Sequence, residues 1–296
     1  MIVYRSSKRQ LLSVGAFLSI LVIYYGGKSI LTTIQRNKYR PDSLAIHLIL
    51  NKYFHKPAFG LPLNLTNPYK YDYSEYGQSI YVDEIFDGKE NGTYIECGAG
   101  DGETYSNSLF FEIRRKWTGV LIEAGRKNYD LLKMKKRKAI LINAALGNKT
   151  ELVKFIEAGF TGGIDKNMEK SHKKWIFQNF PYNLTNSKQL IQSFRFIDII
   201  EAVGMKVVDY LILDVEGSEI TILETIPLSL YVINIIQVEF LVKMDVEKTS
   251  RKLDKIKDII LSTNLYIYFD IIKNTDALFI RKDIFYDFEK RSTKPL

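Results

Sequence analysis

The sequence predicts an α/β protein in which a doubly wound, mostly parallel sheet of seven strands follows one transmembrane helix. Three observations lead to this prediction. Short runs such as GVLIE and DYLILD are apolar over most of their length, which is typical of strands buried on both faces. Amphipathic segments alternate with these runs, as βαβ crossovers require. An uncharged segment near the N-terminus approaches the length needed to span a bilayer.

The predicted strands and helices alternate along the chain. The strands are expected at residues 93–97, 119–123, 139–143, 208–214, 232–240, 265–270 and 277–281. Helices are expected at residues 106–116, 127–136, 194–203, 218–225 and 249–262. The gap before the last strand is too short for a crossover helix, so the last two strands are predicted to pair antiparallel. Residues 159–192 have the least regular pattern and are interpreted as a lid or an insertion.

The uncharged N-terminal segment is predicted to be a signal-anchor. Residues 11–27 (LLSVGAFLSILVIYYGG) carry no charge, and basic residues flank them on both sides. At ~1.5 Å per residue the segment forms roughly 25 Å of helix, at the lower limit for the ~30 Å core of a bilayer. A cleaved signal peptide and a buried core helix are the alternatives. The bulky Tyr24 and Tyr25 and the lack of an A-x-A cleavage pattern favour the anchor.

The anchor divides the chain into a short tail (1–10), a transmembrane segment (11–27), a stem (28–73) and an α/β domain (74–296). The membrane is thus an expected partner, although the basic residues on the two sides balance and leave the orientation open. The N-x-S/T sequons that follow the anchor are potential glycan acceptors if this part is luminal: Asn64, Asn91, Asn148 and Asn183.

The composition is that of an ordinary globular protein with a basic excess. The formal charge is +8, with 46% hydrophobic and 26% charged residues. Such an excess permits anionic partners, but the run KMKKRK at residues 133–138 is interpreted as a solvated helix face, and no nucleic-acid partner is expected. Cys97 is the only cysteine, which excludes an intrachain disulfide and a cysteine-based zinc site.

Three glycines at alternate positions follow the first predicted strand, in the sequence YIECGAGDGET (residues 94–104). Glycine is useful where a backbone turns tightly or approaches a ligand, and ligands of open parallel sheets bind at the carboxyl ends of the strands. A dinucleotide site prefers G-x-G-x-x-G, with the pyrophosphate at a helix N-terminus. Here Glu103 replaces the third glycine of that pattern, and Asp101 and Glu103 would repel a pyrophosphate.

The acids around this turn favour S-adenosylmethionine, which has a cationic amino-acid end and no phosphate. Glu96 is predicted to bind the amino group, directly or through water, and Gly98 and Gly100 to let the methionine portion pass close to the backbone. Glu123 ends the next strand and is predicted to accept both ribose hydroxyls; capping of the following helix is the alternative. Residues at the end of the third strand are expected to lie against the adenine. The complete predicted cofactor set is Glu96, Gly98, Ala99, Gly100, Asp101, Gly102, Glu123, Asn143, Ala144 and Asp214.

A second acidic group follows the fourth and fifth predicted strands. Asp214 and Glu216, in LDVEGSE, emerge on one side of an extended segment, and Glu239 lies at the same edge of the sheet. These three residues are the predicted catalytic set, which orients an acceptor hydroxyl or acts as general base. Coordination of a divalent ion is a second possibility, although no metal is assigned. An acidic helix N-terminus is the structural alternative.

These motifs, in this order, resemble the FkbM-type methyltransferases. The resemblance covers about residues 74–282 and rests on YIECGAGDGETYSNSLFFE, WTGVLIEAGRKNY, NAAL, DYLILDVEGSEI and VEF. It implies a class I, Rossmann-like methyltransferase fold and O-methylation of hydroxyls. The residues that match the cofactor motifs are Glu96, Gly98, Gly100 and Glu123, and those that match the acidic motif are Asp214 and Glu216. Ala124 and Gly125 replace a Pro-containing turn that often follows the second acid.

Within the family, the chain is most similar to the Star-type membrane proteins. That branch implies a single-pass protein of the secretory pathway, in the endoplasmic reticulum, Golgi, endosomes or plasma membrane, that acts in trafficking of membrane cargo. Two functions are therefore expected as alternatives. The first is a membrane-anchored, S-adenosylmethionine-dependent O-methyltransferase with a hydroxyl-bearing acceptor. The second is a non-catalytic protein that binds membrane-protein cargo.

Overall fold

The computed structural model describes residues 39–179 and 188–292 of the chain. The predicted signal-anchor at residues 11–27 lies outside these residues. None of the helices within the described ranges is both long enough and apolar enough to span a bilayer. The described residues from Asp42 onward belong to one compact unit.

Eight strands form the main sheet: β1 (Phe54–His55), β2 (Thr93–Cys97), β3 (Thr118–Ile122), β4 (Ile140–Ile142), β9 (Val207–Leu213), β10 (Val232–Glu239), β11 (Tyr266–Ile272) and β12 (Asp276–Arg281). Their order is β1-β4-β3-β2-β9-β10-β12-β11. The central strands β4, β3, β2, β9 and β10 are parallel, as expected for strands covered on both faces. The remaining strands pair antiparallel with their neighbours.

The sheet differs from the prediction in strand number and direction. All seven predicted strands are present, and the antiparallel pairing of the last two is confirmed. The sheet is nevertheless eight-stranded and mixed, because β1 adds to one edge, where Phe54 lies opposite Ile142. A two-residue strand has too few residues to show a hydrophobic period. The segment that was expected to be a stem therefore contributes directly to the sheet.

A smaller second sheet was not predicted. It contains β5 (Ala145–Leu146), β6 (Glu151–Ile156), β7 (Gly163–Ile164) and β8 (Lys188–Phe194), in the order β5-β8-β6-β7. Its apolar side is a separate small core of Ala145, Val153, Phe155 and Ile164. The segment that looked irregular in sequence thus lies partly within a sheet.

The described helices are α1 (Ser43–Leu48), α2 (Gln78–Ile85), α3 (Leu109–Arg115), α4 (Arg126–Met134), α5 (Lys170–Asn179), α6 (Phe196–Val203), α7 (Glu219–Leu223), α8 (Val246–Leu261) and α9 (Lys282–Ser292). A π-helical turn (Ile49–Tyr53) extends α1, and a 3-10 turn (Gly159–Thr161) precedes β7. The helices α3, α4, α6, α7 and α8 confirm the five helices predicted between strands. The additional helices α2, α5 and α9 were not predicted.

The strand order reverses between β2 and β9, and this reversal fixes the position of the site. From β2 the chain moves outward through β3 and β4, whereas β9 lies on the other side of β2 and leads to β10. Cys97 lies opposite Leu213, so the segments that follow β2 and β9 leave the sheet side by side. Such a reversal opens a crevice at the carboxyl edge of a parallel sheet.

The two segments touch at Gly98. This residue has a φ of +86°, and a methyl group on its Cα would overlap the backbone carbonyl oxygen of Asp214. The amide of Asp214 donates to the carbonyl of Cys97 at 3.1 Å. Only a residue without a side chain allows both the left-handed backbone and this close approach.

A buried polar network supports the glycine turn from below. Arg137 is fully buried and its Nε donates to Glu112 at 2.9 Å. Its guanidinium also donates to the carbonyl of Gly102 and, at 2.9 Å, to the hydroxyl of Ser108. The basic run at residues 133–138 therefore does more than form a solvated face, since one of its members is a core residue.

We expect Arg137→Gln to destabilise the domain far more than Lys136→Gln. Removing one partner of a buried ion pair costs about 3–5 kcal/mol because the other charge stays buried. Lys136 is exposed, and surface substitutions change stability by about 0.5 kcal/mol or less. Urea unfolding of the two variants measures the difference. Equal midpoints would show that Arg137 is not a core residue.

We expect Gly98→Ala to lower the free energy of unfolding more than Gly159→Ala does, although both glycines have a positive φ, +86° and +62°. The left-handed backbone alone costs an alanine about 1–2 kcal/mol. Gly159 has open space around its Cα, so only this cost applies there. At Gly98 the overlap with Asp214 adds about 1–3 kcal/mol of overpacking. Chemical denaturation of both variants compares the free energies of unfolding, and a Gly98 variant no worse than the Gly159 variant would contradict the tight contact.

Candidate functional site

A cleft opens where the segments after β2, β3, β9 and β10 leave the main sheet. Most of the charged side chains in its lining are acidic: Glu75, Glu96, Glu123, Asp214, Glu216, Glu239 and Asp276. Lys243 is the one basic residue among the described residues that line it. The 3-10 turn before β7 forms part of the opposite wall. The cleft therefore presents a strongly negative surface at the point where the strand order reverses.

Glu96 is buried at the end of β2 and is fully engaged by the protein. Its carboxylate accepts from the hydroxyls of Ser106 and Ser108 at 3.0 and 2.5 Å and from the amide of Asn107 at 2.7 Å. Burial raises the pKa of Glu96, and the charge of Arg137 opposes this rise. Glu96 thus holds the loop after the glycine turn, and it lines the cleft as it does so.

The glycine turn itself makes mostly protein contacts. A methyl group on Gly100 would lie 2.7 Å from the ring of Phe160, and one on Gly102 would overlap Leu132. Asp101 accepts from the amide and the hydroxyl of Thr104 at 2.7 and 2.9 Å. Of the predicted turn residues, Gly98 and Ala99 line the cleft, whereas Gly100, Asp101 and Gly102 are not part of its lining.

Glu103, which was expected to act electrostatically in the turn, instead anchors the preceding segment. Its carboxylate accepts from the amides of Thr66 and Asn67 at 2.7 and 2.6 Å and pairs with Lys135 at 2.6 Å. These partners lower the pKa of Glu103 despite its burial. The acid thus ties residues 66–67 to the turn and does not face a ligand.

Glu123 occupies the end of β3 beside the turn, as predicted. Its two carboxylate oxygens accept from the amides of Gly100 and Gly125 at 2.8 and 2.7 Å. The side chain of Asn128 interacts with the same carboxylate. Because an ionised carboxylate has about four acceptor positions, room remains for a further donor. Burial raises the pKa of Glu123 to about 7, against the lowering effect of the two amides. This side chain is therefore poised between its neutral and ionised forms near pH 7.

The predicted adenine-side residues behave differently from each other. Ala144 is buried and lines the cleft together with Ala145 and Leu146. Asn143 is not part of the lining; its amide donates to the carbonyl of Glu123 at 2.9 Å. Asn143 thus fixes the end of β3 against the end of β4, while the apolar residues after it face the cleft.

The three predicted catalytic acids come together. One carboxylate oxygen of each of Asp214, Glu216 and Glu239 lies within 4.8 Å of those of the others. Glu216 pairs with Lys243 at 3.0 Å and with Nδ1 of His172 at 3.2 Å. Burial and mutual repulsion raise the pKa values of Asp214 and Glu239 well above their ordinary range.

Helix capping does not account for this acidic cluster. Glu219 is the acid at the start of α7; it accepts from the amides of Val215 and Gly217 in the preceding loop at 3.1 Å and pairs with Lys252 at 2.8 Å. Glu239 has no such engagement: its Oε2 is buried and has no hydrogen-bond partner. The acidic cluster therefore contains carboxylate capacity that the protein itself does not use.

Many residues that line the cleft were not predicted, among them Phe160, Lys243 and Asp276. Asp276 begins β12, and the predicted antiparallel direction of that strand places its start at the same edge as the carboxyl ends of its neighbours. Its carboxylate accepts from Gln78 at 3.0 Å. Phe160 and Lys243 lie in loops without a sequence pattern, so no comparable signal identified them.

One protein family matches more than half of this chain. The family described as "Methyltransferase FkbM domain" matches residues 96–267. Among solved structures, the chain is similar to methyltransferase FkbM from Methylobacillus flagellatus KT, with 16% identity and a TM-score of 0.40. The alignment covers 64% of this chain and 43% of that chain, so this chain spans less than half of that protein's length.

Two further solved structures have similar scores. The METTL16 MTase domain has 12% identity and a TM-score of 0.39, over 80% of this chain and 77% of that chain. The human methyltransferase 10 domain containing protein has 10% identity and a TM-score of 0.39, over 83% of this chain and 97% of that chain. No curated protein matches the sequence significantly. Because the family match spans more than half of the chain, this protein belongs to the methyltransferase FkbM domain family.

Proposed function

We propose that this protein binds S-adenosylmethionine in the acidic cleft and transfers its methyl group to a hydroxyl acceptor. The observation that carries the proposal is Glu123, a buried carboxylate with unused acceptor positions at the end of β3. The family membership supports methyltransferase chemistry, and the position of the cleft at the strand-order reversal supports ligand binding there. Because a fold does not fix a function, the site must carry the assignment.

The charges of the cleft fit a cationic methyl donor. S-adenosylmethionine, when bound, supplies an electrophilic methyl group on a positively charged sulfur. The lining has acids on several strand ends and Lys243 as its one described base, an arrangement that attracts cations and repels phosphates. Glu123 is the residue proposed to accept the ribose hydroxyls, with the backbone of Gly98 and Ala99 beside it.

The geometry after the glycine turn disfavours a dinucleotide. A pyrophosphate is normally held by the amides at the start of the helix that follows the turn. Here α3 begins only at Leu109, and the amide of Asn107 and the hydroxyls of Ser106 and Ser108 are already committed to Glu96. A phosphate would therefore meet acids instead of free donors.

The acidic cluster of Asp214, Glu216 and Glu239 is proposed to hold the acceptor. A hydroxyl in the cleft donates a hydrogen bond to one of these carboxylates, which orients its oxygen and takes up its proton as the new bond to carbon forms. Correct alignment of two reactants alone can supply several kcal/mol of barrier lowering, about 7–11 at best. Glu216 and Glu239 are buried, which limits the access of water to this part of the cleft.

We expect S-adenosylmethionine, but not NAD, to bind the purified protein. Glu123→Gln should weaken the binding of S-adenosylmethionine at least about tenfold, because one good hydrogen bond to a charged group contributes about 1.5–3 kcal/mol. Isothermal titration calorimetry measures both. Glu151→Gln is the matched control, because Glu151 is exposed and pairs with Lys166 away from the cleft. Binding of NAD, or no binding of S-adenosylmethionine at millimolar concentration, would contradict the proposal.

The affinity of the wild-type protein for S-adenosylmethionine is expected to depend on pH. The pKa of Glu123 is raised to about 7, and only the ionised form can accept both ribose hydroxyls. Affinity should therefore fall as pH falls through 7, and be about tenfold weaker at pH 6 than at pH 8, because the competent fraction changes by that factor. The Glu123→Gln variant should lack this step. An equal step in the variant would assign the titration to another group.

Membrane anchoring through residues 11–27 is proposed as well, with the domain in the lumen of the secretory pathway. The uncharged run with basic flanks supports the anchor. The exposure of Asn64, Asn91 and Asn148 is compatible with glycan attachment. The resemblance to the Star-type branch, with a role in cargo trafficking, remains a prediction. It becomes the preferred function if the folded protein does not bind the methyl donor.

Expression of the full chain in secretory cells tests the topology. We expect endoglycosidase treatment to increase the gel mobility of the wild-type protein, and carbonate extraction to leave it in the membrane fraction. Replacing Asn64, Asn91 and Asn148 by Gln should remove most of the mobility shift. Any shift that remains would come from a glycan on Asn183. An unglycosylated protein released by carbonate would contradict both the anchor and the luminal location.

A further inference from the structure

We propose that Asp214, Glu216 and Glu239 form a binding site for one divalent cation that prefers oxygen ligands, such as Mg²⁺ or Mn²⁺. The three carboxylates lie at the ends of β9 and β10, which pair in parallel with Leu213 opposite Val238. The parallel register brings both strand ends to one point of the cleft. A site made only of carboxylate oxygens suits hard cations and not zinc or copper.

The spacing of the oxygens matches the size of such an ion. One oxygen from each residue lies within 4.8 Å of those of the other two. Two ligands on opposite sides of an ion are about 4.2 Å apart for Mg²⁺ and about 4.8 Å apart for Ca²⁺, twice the usual metal–oxygen distance. All three residues can therefore reach one ion by side-chain adjustment alone.

Glu239 provides an independent observation that a ligand is required. Its side chain is 8% exposed, and its Oε2 is buried without a hydrogen-bond partner. Buried polar atoms in folded proteins almost always have a partner, and a carboxylate oxygen without one is costly. A cation between Glu239 and its two neighbours gives this oxygen its missing partner.

The charges around the acidic cluster also favour a bound cation. Glu219 and Asp276 are buried close to the acidic cluster, so the region contains five acids. The cations that contact these acids within the described residues are Lys243, which pairs with Glu216, and Lys252, which pairs with Glu219. Lys252 pairs with Glu219 and also acts on Glu216 and Glu239 from a distance, so these two lysines face five acids. Buried charges require compensation, and one divalent cation supplies it.

Binding of the ion does not depend on the proposed function, whereas its role in catalysis rests on it. An ion held by this cluster would coordinate the acceptor oxygen and lower the pKa of its hydroxyl. The hydroxyl proton would pass to a carboxylate oxygen of the acidic cluster as the bond from oxygen to the methyl carbon forms and the bond from that carbon to sulfur breaks. The cluster would accordingly select acceptors that present a hydroxyl, or two adjacent oxygens, to the ion.

Manganese binding tests the proposal directly. The metal-free full chain in detergent is titrated with Mn²⁺ and the free ion is followed by electron paramagnetic resonance. We expect one ion per chain, and an affinity at least tenfold weaker in Glu239→Gln. Glu75→Gln is the matched control, because Glu75 lines the same cleft but is exposed and outside the acidic cluster. The Mn²⁺ affinity of this variant should equal that of the wild-type protein.

Thermal unfolding shows whether a loss of Mn²⁺ binding comes from a folding defect. In EDTA, Glu239→Gln should melt at or above the wild-type temperature, because it replaces a buried carboxyl group that has one oxygen without a hydrogen-bond partner. Added Mn²⁺ should raise the melting temperature of the wild-type protein and of Glu75→Gln but not of Glu239→Gln. Titration of S-adenosylmethionine in EDTA separates the two proposals, since it reports on the methyl donor alone. Equal Mn²⁺ binding by wild type and Glu239→Gln, or no binding at millimolar Mn²⁺, Mg²⁺ and Ca²⁺, would overturn the metal site.

Discussion

The contact between the bare Cα of Gly98 and the carbonyl of Asp214 is the constraint on which the site depends. It exists because the strand order reverses between β2 and β9, so that two segments distant in sequence leave the sheet next to each other. A side chain at position 98 would separate them, and the glycine turn would then lie away from the acidic cluster. The cleft, with its proposed cofactor and acceptor sides, follows from this single close approach.

The buried acids fall into two groups that differ in how far the protein satisfies them. Glu96, Glu103 and Glu219 each accept several hydrogen bonds from backbone or hydroxyl donors, or pair with a lysine, and each holds a loop in place. Glu123 and Glu239 keep unused acceptor capacity where they border the cleft. Burial alone therefore does not separate structural from functional carboxylates. The hydrogen-bond donors that the protein itself supplies are more informative. A buried carboxylate oxygen without such a donor is retained mainly where a ligand binds to it.

The sequence predicted the parts of the fold that have a strong period and left out those that depend on tertiary contacts. The long apolar runs gave seven strands, and Glu123 and the acidic cluster lie where strand-end reasoning put them. The strands β1, β5 and β7 were missed because two-residue strands carry no period. The longer strands β6 and β8 were missed because their sequences, ELVKFI and KQLIQSF, mix polar and apolar residues and form no continuous apolar run. Glu103 was grouped with the ligand acids because its donors, the amides of Thr66 and Asn67, lie in a distant loop whose path the sequence does not show. Asp101 accepts from Thr104 of its own turn, a local contact that the sequence reasoning did not consider. Arg137 was assigned to solvent because its neighbours in the run are lysines, whereas its own partner, Glu112, is on α3.

The packing of residues 42–95 determines where the working domain begins. The family match starts at residue 96, but β1 extends the main sheet, and Val82, Ile85 and Phe86 of the α2 region are buried in the same core as Trp117. A fragment excised at the start of the family match would expose that apolar face to water and leave Glu103 without Thr66 and Asn67. The family match therefore begins inside the folded unit, whereas the compact unit itself begins close to Asp42.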